Sequence, residues 1–444
     1  MNGLALLEQA ITKARDELGL IQASGLITEI NPSYARVAGL SHFVKLADYV
    51  TLETTSGQQL GEVVRIDKAG TTVKFLATRT DARLGDIVRR GGPLRLAPHV
   101  SWKGRVINAL GVPIDSLVPL RQGDVSRSVD TAPPPAMRRS RVVKPIRTGV
   151  RVIDLFTPIC AGQRIGIFAG SGVGKSTLLA MLAGATGFDS VVIALVGERG
   201  REVREFIEDT LGEKSDRAVT IVATADESAA MRRLAPRTAM TIAEFLRDQG
   251  EAVLLLVDSI TRFAHAAREV ALAAAEPAVA RGYPPSVFAD LSSLLERSGP
   301  GEGDRGSITG IFSVLVDADD HNEPIADTIR GTLDGHIVLD RAIADQGRFP
   351  AVNVSRSISR LAHAAWTNEQ ASLVLRMRAL VARYEDTRDL RLMGGYRPGL
   401  DAELDQAVTM VPQIYEAMTQ SPKSPASTDA FRELAEALQA TPKD

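Results

Sequence analysis

Apolar positions change their spacing several times along this chain, and each change marks a different kind of element. Near the start, Leu4, Leu7, Ile11, Ala14 and Leu18 alternate spacings of three and four. That predicts a helix over 3–19 with one narrow apolar seam. About two and a half heptads are too few to stand alone, so the seam is expected to pack either on its own domain or against a partner helix. Over 20–95 the period shortens. The segments GLITEI, YVTLET, QLGEVVRID, TTVKFLA and DIVRR are separated by turn signals such as Ser56-Gly57 and Ala69-Gly70. Short strands at regular spacing predict a small β-barrel.

Residues 96–150 break the pattern. They carry a Pro-rich run, Thr131 to Pro135, and a basic cluster of Arg138, Arg139 and Arg141. This stretch is expected to be a connector whose arginines are solvated. From 150 to about 365, apolar runs (RIGIFAG, VVIALVG, VTIVATA, VLLLVD, ITGIFSVLV) alternate with helical spacing. Strands apolar on both faces are covered on both sides, which predicts a mostly parallel α/β sheet. From 367 onward the pattern is helical (NEQASLVLRMRALVARYEDTRDL). The run SPKSPAS at 421–427 is expected to link it to a last amphipathic helix, with Phe431, Leu434, Ala435 and Leu438 on one face.

Composition sets outer bounds. The chain has 444 residues, too many for one ordinary core, so two or three domains are expected. It is 44% hydrophobic and 24% charged, with a net charge of −2, which argues against a dedicated nucleic-acid binder. Cys160 is the only cysteine, excluding an intrachain disulfide and a thiolate metal site, and a reducing cytosol is the expected home. The six histidines show no zinc-ligand spacing. No signal-peptide pattern is expected at the N-terminus, and no run of about 18 apolar residues occurs.

Chemistry concentrates in IGIFAGSGVGKST, residues 165–177. A buried strand, a glycine-rich turn and a helix follow one another, as a phosphate-binding loop needs. Ala169, Gly170, Ser171, Gly172, Val173, Gly174, Lys175, Ser176 and Thr177 form the loop and the start of its helix. Backbone N–H groups would curl around phosphates, Lys175 would reach the β- and γ-phosphates of ATP, and Ser176 would hold Mg²⁺. Ala169 stands where the pattern has its first glycine, which is acceptable if φ there is negative. VLLLVDS ends a strand in Asp258, placed as a second Mg²⁺ carboxylate. VVIALVGERGREVREF sets Glu198 just past another strand end, where ligands of open α/β sheets bind. A carboxylate there can polarise the attacking water, and Arg199 could orient it. Arg201 and Glu205 suit a surface ion pair instead. The segment RFPAVNVSRSISR ends in Arg360, a candidate arginine finger acting on a neighbouring subunit. By composition Arg356 and Arg348 serve equally well.

Several motifs together, TGVRVID (148–154), FAGSGVGKST, VGERGREV (196–203), LLVDSITRFAHAAREV (255–270), GYPPSVFADLSSLLERSG (282–299) and RFPAVNVSRSISR, resemble the hexameric RecA-like ATPases of the rotary type. Within them the chain is most similar to the ATPases of type III protein export, the flagellar one above its injectisome sibling. The likeness runs from residue 20 to about 420.

The resemblance implies a RecA-like P-loop core with an N-terminal β-barrel and a C-terminal helical domain, divided as 1–19, 20–95, 96–365 and 366–444. It implies a homohexamer that hydrolyses ATP with Mg²⁺. Lys175 and Ser176 would hold phosphate and metal, Glu198 would be the catalytic glutamate with Arg199 its neighbour, and Asp258 the metal-side carboxylate. Arg262 would be a phosphate-region arginine and Arg360 the finger in trans. Phe349 would stack on adenine, with Tyr396 as the opposite wall. Implied partners are a regulatory protein on the N-terminal helix, a stalk-like coiled coil, export chaperones and their cargo. The implied place is cytoplasmic, peripheral to the inner membrane at the export gate. Two rivals fit less well. A rotary ATP synthase catalytic subunit carries an acidic lever where 380–410 here mixes charges. An RNA translocase needs stacking aromatics, whereas the barrel region has only the scattered Tyr34, Phe43, Tyr49 and Phe75.

Overall fold

The computed structural model describes residues 3, 4, 7, 22–115, 117–303, 305–316 and 323–439, without the side chains of 209, 210, 213 and 214. Ile11, Ala14 and Leu18 of the expected N-terminal seam lie outside the described residues. The chain divides into two compact units: one runs up to Arg95 and includes Ser228–Ala230 and Glu269–Pro277, and the other holds the remainder.

The first unit is a barrel of strands β1 (Ser24–Ile30), β2 (Ala35–Ala38), β3 (Asp48–Thr54), β4 (Gly57–Asp67), β5 (Gly70–Phe75) and β6 (Ile87–Pro93). They close in the order β1-β2-β5-β4-β3-β6, every pair antiparallel. Alternation sends Ile27, Val37, Val50, Leu52, Val63, Val73 and Val88 inward. Register shifts at Ile27/Glu29, Tyr49/Val50 and Val63/Arg65 add local twist, which so small a closed barrel requires. β2 is too short for its pattern to stand out in the sequence.

The second unit is organised on a sheet of β7 (Val106–Asn108), β8 (Arg164–Ala169), β9 (Ser190–Val196), β10 (Ala218–Ala223), β11 (Ala252–Asp258), β12 (Ser307–Leu315), β13 (Gly335–Val338) and β14 (Ile358–Ser359). Its order is β14-β13-β8-β12-β11-β9-β10-β7. Neighbours are parallel except β14, which runs antiparallel to β13. All residues of β9 and β10 are buried, as a doubly covered sheet demands.

The stretch 96–150 is more than a connector, because β7 is an edge strand of this sheet, paired with β10. Arg139 is not solvated either. It donates to Glu296 Oε2 at 3.0 Å, the Glu296 carbonyl at 2.8 Å and the Pro134 carbonyl at 3.0 Å. Arg138 and Arg141 are exposed, as expected.

Helices cover the sheet and carry side chains to the site: α1 (Lys175–Ala183), α2 (Gly200–Glu205), α3 (Ala229–Asp248) and α4 (Ile260–Ala273). Beyond them come α5 (Asn368–Asp386), α6 (Ala402–Met418) and α7 (Ala430–Gln439). Thr367 and Gln370 form a reciprocal capping box that starts α5. α5 and α6 share a small core of Val381, Ala407 and Val411. The last helix packs through Ala430, Phe431, Leu434 and Leu438, while Ala435 is exposed, contrary to the expected face. The Ser/Pro run before it is pinned rather than free. Ser427 N donates to the Gly149 carbonyl at 2.9 Å, and the buried Gln420 amide donates to the carbonyls of Gly149 and Pro425 at 2.8 and 3.1 Å.

Candidate active site

The site is assembled at the carboxyl ends of β8, β9 and β11. Ala169 is the last residue of β8, so its backbone is extended and a methyl group is accommodated where the loop pattern has glycine. The turn that follows does need glycine: Gly172 and Gly174 have φ of 78° and 96°. Gly174 caps α1, so Lys175, Ser176 and Thr177 open a helix whose positive end faces the loop. Arg341, not anticipated from the sequence, braces the loop by donating from Nη2 to the Ser171 carbonyl at 2.8 Å.

Lys175 Nζ is ion-paired with Asp258 Oδ1 and lies 3.8 Å from Glu198 Oε1. One ammonium thus serves two carboxylates. Ser176, Glu198 and Asp258 line a single cleft of about 200 Å³ with Glu202 and Glu205. Burial pushes the Glu198 carboxyl up to about 7. Lys175 and Arg262 work against that shift, while Asp258 and a hydrogen bond with Glu202 add to it.

Gly197, with φ of 70°, turns the chain from β9 toward Glu198. A side chain there would meet Arg262, whose Cβ and Cγ lie 3.2 Å from the position a Cβ would take. Arg262 Nε is buried without a hydrogen-bond partner among the described residues. An orphaned cationic donor beside Gly197 and Glu198 suits an anion.

Phe349 lies over the loop: a Cβ on Gly174 would be 3.6 Å from its ring, which is 43% exposed. Tyr396 is engaged elsewhere. Its hydroxyl donates to Asp405 Oδ1 at 2.7 Å, in the first turn of α6. What touches the Phe349 residue from the helical region is Gln420, whose N–H donates to the Phe349 carbonyl at 2.8 Å. No pattern in the sequence singles out this glutamine, because its role depends on contacts up to 271 residues apart.

Two further expected residues stay outside the cluster. Arg199 is 83% exposed and lies 3.7 Å from Glu202. Arg201–Glu205 and Arg204–Glu208 pair beside it at 2.7 and 2.8 Å, a surface ladder. Arg360 is exposed and its N–H donates to the Asp334 carbonyl, at the amino end of β13. Since β8 and β13 are parallel, that is the opposite end of the sheet from the phosphate loop. Of the other two arginines, Arg348 is occupied, with its guanidinium 3.7 Å from the Tyr415 ring centre and 3.8 Å from Glu385. Arg356 is exposed.

Comparison with known proteins follows the same lines. Residues 149–359 match the model of the ATP synthase alpha/beta family, nucleotide-binding domain, and residues 366–439 match the T3SS EscN ATPase C-terminal domain. The chain is 57% identical over 420 residues to the flagellum-specific ATP synthase of Rhizobium meliloti, covering 95% of this chain and 90% of that one. It is 48% identical over 371 residues to the SPI-2 type 3 secretion system ATPase of Salmonella typhimurium, covering 82% and 84%. Its fold superimposes on the assembled ATPase EscN of the enteropathogenic E. coli type III secretion system with a TM-score of 0.86 and 38% identity, over 93% of this chain and all of that one. EscN in complex with its central stalk EscO gives 0.85 and 37%. Phosphate loop, strand-end carboxylates and near full-length likeness agree, and the chain belongs to the flagellum-specific ATP synthase family of P-loop ATPases.

Proposed function

We propose that this chain hydrolyses ATP as one subunit of a homohexameric ring and that the ring energises type III export of flagellar proteins. One observation carries the reading. Lys175, Ser176, Glu198 and Asp258 meet at one end of the sheet, while Arg360 is exposed at the other. A neighbour in a ring can supply what a single chain keeps apart. The 57% identity to flagellar relatives favours flagellar over injectisome export.

In this reading Lys175 moves from the carboxylates to the β- and γ-phosphates, and Arg262 offers its unpaired donor to them. Ser176 and Asp258 present hard oxygen donors to Mg²⁺, which offsets phosphate charge when bound. No group of three or more His, Cys, Asp or Glu side chains arranged for a metal occurs among the described residues. Phosphate and water would therefore complete the shell, as Mg²⁺ prefers. Glu198, with its raised proton affinity, receives a proton from the attacking water. Phe349 stacks on the base, and Arg360 of one chain neutralises charge at the next. Fingers of this kind are worth about 10³ to 10⁵ in rate.

The assignment extends to partners and place. Residues 1–19 would dock a regulatory protein, and a coiled-coil stalk would enter the ring, by analogy with EscN, which is in complex with its central stalk EscO. Chaperones and cargo would meet the ring at the cytoplasmic face of the inner membrane. Among the described residues no helix is long and apolar enough to cross a membrane. The test is genetic. Cells without this gene should lose secretion of hook and filament proteins, and the wild-type gene but not Glu198→Gln should restore it. Normal flagella in the deletion strain would rule the reading out.

A further inference from the structure

Asp258 has a second partner that the proposed chemistry does not use. Ser313 lies on β12, directly beside the phosphate-loop strand on one side, opposite Ile167. On its other side the β11–β12 ladder aligns Val257 with Phe312, which brings Ser313 next to Asp258. Its Oγ donates to Asp258 Oδ1 at 2.6 Å, the same oxygen that pairs with Lys175. Ser313 is wholly buried and Asp258 is 3% exposed, so water does not compete for that oxygen. One turn on, the buried Thr261 accepts the Leu315 N–H on its Oγ1 at 2.9 Å. Two hydroxyls thus stitch the turn after β11 to the end of β12.

From this geometry we propose that Ser313 is the positioning residue that holds the Asp258 carboxylate in place when Lys175 leaves it for phosphate. The inference rests on the proposed roles of Lys175 and Asp258. In this structure Oδ1 has two donors, an ammonium and a hydroxyl. When the ammonium turns to phosphate, a buried carboxylate oxygen without Ser313 would lose every donor, a costly state. The hydroxyl keeps Oδ1 satisfied and fixes the side-chain rotamer of a carboxylate that lines the same cleft as Ser176. Ser313 forms no bond to nucleotide and transfers no proton. It lowers the cost of the lysine's exchange of partners.

The test separates this from a packing role. Ser313→Ala removes the hydroxyl alone, and Ser313→Thr keeps it. Binding of a fluorescent ADP is measured across a Mg²⁺ titration and again in chelator, alongside steady-state kinetics and melting temperature. In Ser313→Ala the Mg²⁺ concentration for half-maximal tightening should rise about tenfold, the size of one hydrogen bond to a charged acceptor. Affinity in chelator should fall as well, by a smaller factor, because Lys175 still has to leave. Ser313→Thr should return the Mg²⁺ dependence to within about twofold. An unchanged Mg²⁺ midpoint, or a lower melting temperature with an unchanged midpoint, overturns the inference. Asp258→Asn is the control for the underlying reading. If it leaves Mg²⁺ dependence and turnover intact, the role of Asp258 fails. If it abolishes both while Ser313→Ala changes nothing, only the inference about Ser313 fails.

Discussion

The two ends of the central sheet have opposite characters. At the carboxyl ends of β8, β9 and β11, charged groups are drawn together and shielded: Lys175 is 10% exposed, Asp258 5% and Glu198 20% in their side chains. At the amino end of β13, Arg360 stands exposed, held through its backbone to Asp334 and by a long 3.4 Å contact to the Arg330 carbonyl. Shielded charges interact strongly because little water screens them, whereas an exposed arginine contributes little until something covers it. One end is preorganised within a chain, and in the proposed ring the other would be completed by contact.

The largest expected effect tests that division directly. Arg360→Ala should lower turnover by about a thousandfold or more, with nucleotide affinity of the dilute chain unchanged in equilibrium titration. Mixing it with Lys175→Ala chains should restore part of the activity, since a mixed boundary pairs an intact lysine with an intact arginine. Verified mixed rings that stay inactive would break the comparison.

Glu198→Gln comes next. It keeps shape and removes the base, so turnover should fall at least about a hundredfold while ATP still binds. Near-normal steady-state hydrolysis would remove Glu198 from the chemistry.

A third substitution sharpens the contrast because its contacts include neither the Lys175 cluster nor Arg360. Arg297 is 3% exposed and donates to both Glu244 oxygens at 2.9 Å, to Thr241 Oγ1 at 3.0 Å and to the Val129 carbonyl at 2.8 Å. Arg297→Met would strand the buried Glu244 on α3, costing roughly 3–5 kcal/mol. Melting temperature should drop, with KM for ATP unchanged in the protein that remains folded. An unaltered melting curve would contradict it.

The smallest effect is acid-linked. Arg105 holds the Asp115 carboxyl down to about 2. The unfolded value is about 3.9, so the pair's contribution is whole above that pH and fades as pH falls toward 2. Asp115→Asn should therefore melt below wild type at neutral pH, and the gap should close on acidification below about pH 4. A gap independent of pH would assign the effect to packing instead of charge.

Much of the site was legible because it obeys local rules. A strand, two positive-φ glycines and a helix start fit in thirteen consecutive residues, 165–177, and Asp258 and Glu198 each follow an unmistakable apolar strand. What was illegible depends on long-range placement. Ser313 looks like any serine in a buried strand until β11 and β12 are aligned. Arg139 reads as one of a solvated basic cluster until Glu296 is brought against it from 157 residues away. β7 is three residues long, too short to show a period. Tyr396 was placed by resemblance alone, and its bond to Asp405 turns on the local course of the chain into α6.

The peptide at Phe349 is anchored twice to the C-terminal helices: Arg348 lies on the ring of Tyr415, whose hydroxyl donates to Glu385 at 2.5 Å, and the Phe349 carbonyl is held by Gln420. Whatever bends α5 against α6 therefore pulls on the residue proposed to stack on the base. Thermodynamic reciprocity then fixes the return path. A protein that binds these helices and changes nucleotide affinity by some factor must have its own affinity changed by that same factor when nucleotide binds.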